Sequence, residues 1–335
     1  MSALWWYRSW ICEKYDSLDV TKYILSYFVV AIHSLIFQNV LYPWLRIAVP
    51  IYFIISSFLF FSKVSQENTD GKKLLGVYVV RNFKLYAFWF VVLLPITIYN
   101  RQSWFSGEFW EGIGKALSSL LFSSTFSASW FIVASVEAVV LVYFASRGLS
   151  NKTMLCVSIA VYAVCFARSS LWFLLRENSV VAGFCEVYEQ FLTSPVCSFP
   201  AALVWIVIGK MYAEGDFRWS TARHAVTALS SSAALYVEWW LIRQASGSMT
   251  NDCYMFLIPL CLSLFGLILK ADITLKHART IRKISTVMYA SHYSVIILID
   301  IIRNALHIGQ GMPAIWKFAI AIAVCHAVSF VIFRL

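Results

Sequence analysis

Charged residues are scarce in this sequence. Only 13% of its 335 residues are Asp, Glu, Lys or Arg, whereas a soluble domain carries about 25%. Hydrophobic residues make up 60% of the chain, and the mean hydropathy is +0.72. Apolar runs of about 20 residues, the length of a helix that spans a bilayer, recur along the whole chain. The composition therefore excludes an ordinary soluble domain and predicts an all-α integral membrane protein.

Glycine and proline are also sparse, and no internal repeat is visible. The chain has 13 Gly and 7 Pro, and Pro50, Pro200 and Pro259 lie near the ends of expected helices. Transporters often combine inverted repeats with helices that Gly or Pro breaks near the middle of the membrane. A transporter or exporter that uses the polar residues described below as a permeation path is therefore the weaker functional interpretation.

The cysteines form no C-x-x-C pair, although the chain has eight of them. Most lie inside apolar runs, so they are predicted to be small buried side chains and not metal ligands or redox groups. Cys185 and Cys197 flank one loop and would be able to pair in an oxidising compartment. The sequence leaves that pairing open.

The apolar runs predict a single domain over 1–335, with a cytoplasmic interfacial segment (1–20) before a bundle of about ten transmembrane helices (21–335). The expected spans are 23–41, 47–61, 77–99, 130–145, 154–175, 196–212, 224–242, 252–269, 284–302 and 314–333. Segments 101–125 and 176–195 are expected to be loops on the far side of the membrane.

Basic residues set the expected orientation. The net charge of +10 does not indicate nucleic-acid binding, because Lys and Arg in a membrane chain usually record its topology. With a cytoplasmic N-terminus, 19 of the 27 Lys and Arg residues lie on the cytoplasmic side. The other eight lie on or near the far side: Arg46, Arg101, Lys115, Arg168, Arg176, Arg243, Arg303 and Lys317. We therefore predict an N-in, C-in topology.

The first expected span has a lysine, Lys22, at its cytoplasmic end and a histidine, His33, in its interior. They are 11 residues apart, which places them on nearly the same helix face and about 16 Å apart along the axis. A lysine near a helix end can reach the lipid headgroups, but a histidine deep in a span needs another reason to be there. His33 is either hydrogen-bonded to a neighbouring helix or part of a reaction site, where an imidazole suits general-base or relay chemistry.

Arg81 and Lys84 lie three residues apart at the cytoplasmic end of the third expected span. With Lys22 they would form a cluster of positive charge at the inner face of the membrane. Such residues commonly anchor lipid phosphates. The sharper hypothesis is that all three bind the phosphates of a nucleotide thioester such as acyl-CoA, whose pantetheine arm would then extend toward His33.

Five short motifs follow one another along the chain. They are Asp19-Val-Thr-Lys22 followed by ten residues and then His33, Val49-Pro50 through Ser56-Ser57-Phe58-Leu59, Arg81-x-x-Lys84, Trp130-Phe131, and Ile284-Ser285 through Tyr289-Ala-Ser-His292. Each is weak alone, but their order and spacing resemble those of the membrane acyltransferase-3 family from about Asp16 to the last span. Lys22 replaces the usual arginine of that family, while Tyr23 and Ser57 stand where glycine is common.

The resemblance implies an O-acyltransferase in the bacterial inner membrane. It would move an acyl group, expected to be acetyl, from acyl-CoA to a hydroxyl of a cell-surface or lipid-linked carbohydrate, without a metal. Lys22, Arg81 and Lys84 would hold the donor phosphates. His33 would activate the acceptor hydroxyl or carry the acyl group.

Several other polar residues lie inside the expected spans, and each has an expected role. Charged and imidazole groups at such depth usually face a bundle interior or a cavity. Glu137 and His292 are placed near the reaction centre and complete the predicted catalytic set with His33. Asp300 and Arg303 lie three residues apart and are expected to neutralise each other. His326, without a motif, is expected to be structural.

Overall fold

The structure is a computed structural model that describes residues 15–37, 39–66, 69–100, 109–122, 125–126, 129–192, 194–248, 251–307 and 312–333. These residues form α-helices and one 3-10 turn at Pro195–Cys197, with no β-strand among them, so the all-α class is confirmed. The helices are α1 (Asp16–His33), α2 (Tyr42–Leu45), α3 (Ala48–Val64), α4 (Gly71–Val92), α5 (Leu94–Asn100), α6 (Phe109–Phe122), α7 (Trp130–Ala145), α8 (Asn151–Ser170), α9 (Trp172–Leu175), α10 (Ser179–Leu192), α11 (Phe199–Ala213), α12 (Thr221–Ser246), α13 (Leu257–Lys270), α14 (Ala278–Ala305) and α15 (Ala314–Phe333).

Within the described ranges, six helical segments are long and apolar enough to cross a membrane. They are Tyr42–Val64, α4, α8, α12, α14 and α15. Four shorter apolar helices accompany them: Gly112–Phe122 within α6, α7, α11 and α13. Each of the expected spans overlaps a helix, and the chain is a multi-pass membrane protein. The count of ten crossings and the N-in, C-in orientation stay predictions.

α1 begins inside the stretch 1–20 that the sequence analysis assigns to an interfacial segment. Residues 1–14 lie outside the described ranges, but α1 begins at Asp16, and Asp16 and Asp19 are only 3% and 4% exposed. Both carboxylates have partners, because Asp16 Oδ2 accepts the backbone N–H of Leu275 at 2.9 Å and Asp19 pairs with Arg282. Acidic groups also stabilise a helix N-terminus. These residues therefore belong to the bundle.

The end of α1 corrects the first expected span, which the sequence extends to residue 41. The helix ends at His33, and the chain then turns through Leu35 and Phe37, whose φ values are 63° and 61°. Residues in the left-handed region cannot continue a right-handed helix. His33 is therefore the last residue of its helix, next to a turn, and not an interior residue of a longer span.

Two segments expected to be loops contain helices. α6 lies within 101–125, of which 101–108 and 123–124 are outside the described ranges, and α10 lies within 176–195, of which 193 is outside. In α10 the exposed apolar residues Val180, Phe184 and Val187 recur at helical spacing on one face. Hydropathy averaged over a window of span length does not detect such short amphipathic helices.

Residues 251–256 form a non-helical segment between α12 and α13, and Asn251, Cys253 and Tyr254 in it are buried. Side chains of other helices satisfy its backbone groups. The pairs are Tyr42 hydroxyl with Asn251 O, Ser169 Oγ with Asp252 N, Ser170 Oγ with Cys253 O, Tyr162 hydroxyl with Tyr254 O, and the Glu238 carboxylate with Met255 N and Phe256 N. Buried irregular backbone is tolerated where its polar groups have such partners.

α3 and α11 pack closely at the centre of the largest apolar cluster. Ser57 of α3 donates a hydrogen bond to the carbonyl oxygen of Ile206 at 2.5 Å. A Cβ atom added to Gly209 of α11 would lie 2.7 Å from Ser57 Cβ and 2.5 Å from the carbonyl oxygen of Ile54. Ser57 stands at a position that is usually glycine, and Gly209 of the facing helix α11 leaves the space that its side chain needs.

This contact predicts a stability effect. Gly209→Val should lower the melting temperature of the detergent-solubilised protein, because overpacking a core costs about 1–3 kcal/mol. Gly76→Ala is the matched control: a Cβ at Gly76 in α4 meets no atom within 4 Å, so this change should be neutral or slightly stabilising. Equal melting temperatures for Gly209→Val and the unmodified protein would show that α3 and α11 separate easily.

Candidate active site

α1 and α14 pack side by side and bring His33 and His292 together. The two imidazole centroids are 5.0 Å apart with the ring planes tilted by 40°. The ring of Tyr293 meets His33 edge to face, with the centroids 4.8 Å apart. His33 is half-buried and His292 is fully buried. Two of the three predicted catalytic residues therefore meet at one place, although they lie near opposite ends of the sequence.

His292 is held by its own helix. Its Nδ1 atom lies 3.0 Å from the carbonyl oxygen of Met288 and 2.8 Å from that of Tyr289. Its Nε2 atom is buried and has no hydrogen-bond partner among the described residues. One side of the imidazole is thus fixed, while the other retains a free hydrogen-bonding position.

The opposite end of α1 lies in a cluster of charged residues. Lys22 experiences the charges of Asp19, Arg282 and Arg81. The guanidinium of Arg282 forms two bonds with the Asp19 carboxylate, at 2.8 Å (Nε–Oδ1) and 2.5 Å (Nη2–Oδ2). Three cations and one carboxylate leave an excess of positive charge, which is suited to a phosphorylated ligand.

The composition of this cluster differs from the predicted one. The charge of Arg81 acts on Lys22, in line with the expected cluster, but Lys84 is exposed and makes no hydrogen bond or ion pair with a described residue. Residues three apart on a helix differ by about 60° in direction, which is enough to separate the two side chains of α4. Arg282 takes part instead, although the sequence indicated it only as a contributor to topology. Asp19 would have indicated it, because a carboxylate at the start of a span needs a cationic partner.

Aromatic rings connect the two ends of the site. The Tyr52 hydroxyl donates to the carbonyl oxygen of Lys22 at 2.5 Å, and the Tyr52 ring lies 5.3 Å from that of Tyr289. The Tyr289 ring in turn lies 6.2 Å from that of His292, and Phe131 contacts both tyrosine rings. These side chains provide an apolar lining between the charged cluster and the histidines.

Glu137, the third predicted catalytic residue, lies in α7. It is half-buried, and one of its carboxylate oxygens, Oε2, is buried without a hydrogen-bond partner in the described part of the chain. Its charge acts on Tyr188 of α10. No hydrogen bond joins it to His33 or His292 among the described residues, whereas the rings of the two histidines are in contact.

Arg46, in the turn after α2, was not expected at the site. Its guanidinium forms an ion pair with the Asp252 carboxylate and also donates to the Asp252 carbonyl oxygen at 3.3 Å. The neighbouring Leu45 packs against Ala31 of α1, and the charge of Arg46 acts on His33. The sequence indicated Arg46 only as a far-side charge.

A family model described as an acyltransferase domain matches residues 15–334, nearly the whole chain. The chain belongs to the acyltransferase-3 family. The resemblance that its five motifs predicted is thereby confirmed, and the chain is identified as an acyltransferase at the level of the family.

Two similar proteins carry racemase names. An amino-acid racemase from Enterococcus faecalis is 18% identical over 268 residues, which cover 77% of this chain and 36% of that protein. A serine/alanine racemase from Enterococcus gallinarum is 21% identical over 269 residues, which cover 77% of this chain and 37% of that protein. The chain thus spans just over a third of the length of these relatives. No solved structure matches the chain.

Tyr23, at a position where the acyltransferase-3 family commonly has glycine, contacts His326. Its hydroxyl lies 3.0 Å from His326 Nε2 and 2.6 Å from the hydroxyl of Tyr27. Tyr27 in turn lies 3.4 Å from the same nitrogen. His326 therefore joins α15 to α1, in line with its expected structural role.

The structure also describes the remaining polar and cysteine pairs of this acyltransferase-3 member. Asp300 pairs with Arg303 at 3.9 Å, as expected, and in addition with Lys317 of α15 at 2.9 Å. Cys185 and Cys197 are both free thiols, and the disulfide that the sequence left open is not formed.

Proposed function

We propose that this acyltransferase-3 member moves an acyl group, acetyl in the first instance, from acyl-CoA to a hydroxyl of a cell-surface or lipid-linked carbohydrate in the bacterial inner membrane. One observation favours it above the others. A single uninterrupted helix, α1, presents Lys22 in a positively charged cluster at one end and His33 against His292 at the other.

The charged cluster suits the donor. Acyl-CoA carries its phosphates and its thioester at opposite ends of a long arm, and α1 separates Lys22 from His33 by about 16 Å. In the proposal Lys22 and Arg81 bind the phosphates, Lys84 supports them from the surface, and Arg282 is held in place by Asp19. The rings of Tyr52, Phe131 and Tyr289 line the path of the arm and exclude water, which otherwise competes for the thioester.

The histidine end suits the transfer step. In the direct form of the reaction, the acceptor hydroxyl gives its proton to His33 while its oxygen attacks the thioester carbonyl carbon. The carbon–sulfur bond then breaks, and the CoA thiolate takes the proton back from the imidazolium. If His33 instead carries the acyl group, its nitrogen attacks the thioester first, and the acceptor oxygen displaces it afterwards. Both forms end with an ester and CoA thiol.

The test is turnover by purified protein in lipid nanodiscs. We expect acetyl-CoA to bind and to release CoA thiol, slowly to water and faster with an added carbohydrate acceptor, and the rate to fall in the His33→Asn variant. Gel filtration and CoA binding of both proteins serve as controls for folding. Failure of the unmodified protein to bind CoA or to release thiol, together with movement of a solute across vesicles that contain it, would favour the transport interpretation.

A further inference from the structure

Two histidines of this protein are attached to their helices in the same way. Nδ1 of His292 lies 3.0 Å from the carbonyl oxygen of Met288, and Nδ1 of His326 lies 2.9 Å from that of Ile322, in each case four residues back. A carbonyl oxygen can only accept a hydrogen bond, so Nδ1 carries the proton in both rings. In the neutral imidazole Nε2 then presents a lone pair.

The two Nε2 atoms have different surroundings. Nε2 of His326 is within hydrogen-bonding distance of the hydroxyls of Tyr23 and Tyr27. Nε2 of His292 is fully buried, and no described residue supplies a donor to it. A buried acceptor without a donor is destabilising, so such a group in a native protein calls for an explanation. Both nitrogens of His326, the structural histidine, therefore have hydrogen-bond partners, whereas only Nδ1 of His292 has one among the described residues.

His33 is the group that can supply the missing donor. Its ring is 5.0 Å from that of His292, and it makes no hydrogen bond with a described residue that would fix its orientation. A change of its side-chain torsion angles would direct a ring N–H at the lone pair of His292, and no hydrogen bond of His33 to a described residue has to break for it.

We propose that His292 is a positioning residue, whose Nε2 accepts the N–H of His33 and so fixes which nitrogen of His33 faces the substrates. The proposal rests on the proposed function. It assigns His292 a different task from the catalytic one that the sequence predicted, since in the proposal His292 contacts His33 and not the reacting atoms.

The arrangement serves either chemical role of His33. Accepting a proton from a hydroxyl and attacking a thioester both need a bare nitrogen on the substrate side. When His292 accepts the N–H of the opposite nitrogen, the bare nitrogen faces the substrates. The positive charge that develops on His33 during the step is then stabilised through the same hydrogen bond.

The experiment compares amide and apolar substitutes at both histidines. Glutamine at position 292 can still donate to a backbone carbonyl and accept from His33, whereas leucine can do neither. We expect His292→Gln to keep kcat for CoA release within about tenfold and His292→Leu to lose about 10²-fold or more, both with little change in KM for acetyl-CoA. His33→Gln should be inactive, and His326→Gln, the matched control, should retain full turnover.

A second measurement does not depend on turnover. Diethyl pyrocarbonate reacts with the bare nitrogen of an imidazole, and mass spectrometry locates the product. We expect the rate of modification of His33 to fall in His292→Leu and to persist in His292→Gln. A folded His292→Gln variant as inactive as His33→Gln, or a His292→Leu variant with unchanged turnover and unchanged His33 modification, would overturn the proposal. Absence of turnover in the unmodified protein would count against the proposed function alone, and the modification rates would still decide the role of His292.

Discussion

His33→Asn should fold, bind CoA and lose about 10²–10⁴-fold of its acyl-transfer rate, the usual contribution of general acid–base catalysis. An amide can hydrogen-bond, but it neither takes up nor releases a proton near neutral pH. Position 33 is the last residue of α1 and is half-buried, so an asparagine there, close in size to histidine, should leave the fold intact. The loss should therefore appear in kcat and leave the affinity for CoA unchanged.

The measurement is the rate of CoA release by the purified variant, with its melting temperature and CoA binding determined on the same preparation. His326→Gln is the matched control, because His326 is also an imidazole within the bundle but is bonded to Tyr23 and lies outside the site. Turnover of His33→Asn within about tenfold of the unmodified protein would remove His33 from the chemistry.

Removing the cations at the other end of α1 should weaken donor binding strongly. Lys22→Ala and Arg81→Ala should each cost about 1.5–3 kcal/mol of CoA affinity, the range for a charge-assisted hydrogen bond. That corresponds to a rise in Kd of about 10- to 150-fold. Calorimetric titration with CoA measures the effect. The deficits should shrink when CoA without its 3′-phosphate is the ligand, if that phosphate is the one bound.

Three other variants make this prediction specific. Lys22→Arg keeps the charge and restores the bidentate geometry of the usual family residue, so it should bind CoA at least as well. Lys84→Ala should lose less than Arg81→Ala, because Lys84 is exposed. Lys276→Ala, an exposed cation in the segment before α14, is the matched control and should change nothing. Unchanged CoA affinity in the double variant of Lys22 and Arg81 would mean that these residues anchor lipid phosphates.

The sequence predicted the helices well and their ends less well. Long apolar runs located α3, α4, α8, α12, α14 and α15, because hydropathy is averaged over the same length as a span. The end of α1 was misplaced because Leu35 and Phe37 are as apolar as the residues before them, and only their left-handed backbone stops the helix. α6 and α10 were missed because they are short and amphipathic.

The motifs identified the residues of the site but not their arrangement. Lys22, Arg81, His33 and His292 were predicted, whereas the contact between the two histidines depends on how α1 packs against α14. Glu137 was included because it is a buried carboxylate, a criterion that does not say which neighbour it faces. Arg282 and Arg46 were overlooked because a cation near the end of a span is also explained by the excess of Lys and Arg on the cytoplasmic side or by the far-side loops. The sequence therefore offered no reason to look for their ion pairs.

The irregular segment at 251–256 also has a consequence for how the protein is made. Its backbone partners belong to α2, α8 and α12, all of which are synthesised before it. When this segment leaves the ribosome, the groups that pair with its polar backbone are already present, so its buried backbone groups are paired as soon as it packs against these helices. The order of the helices along the chain therefore matches the order in which this part of the protein has to assemble.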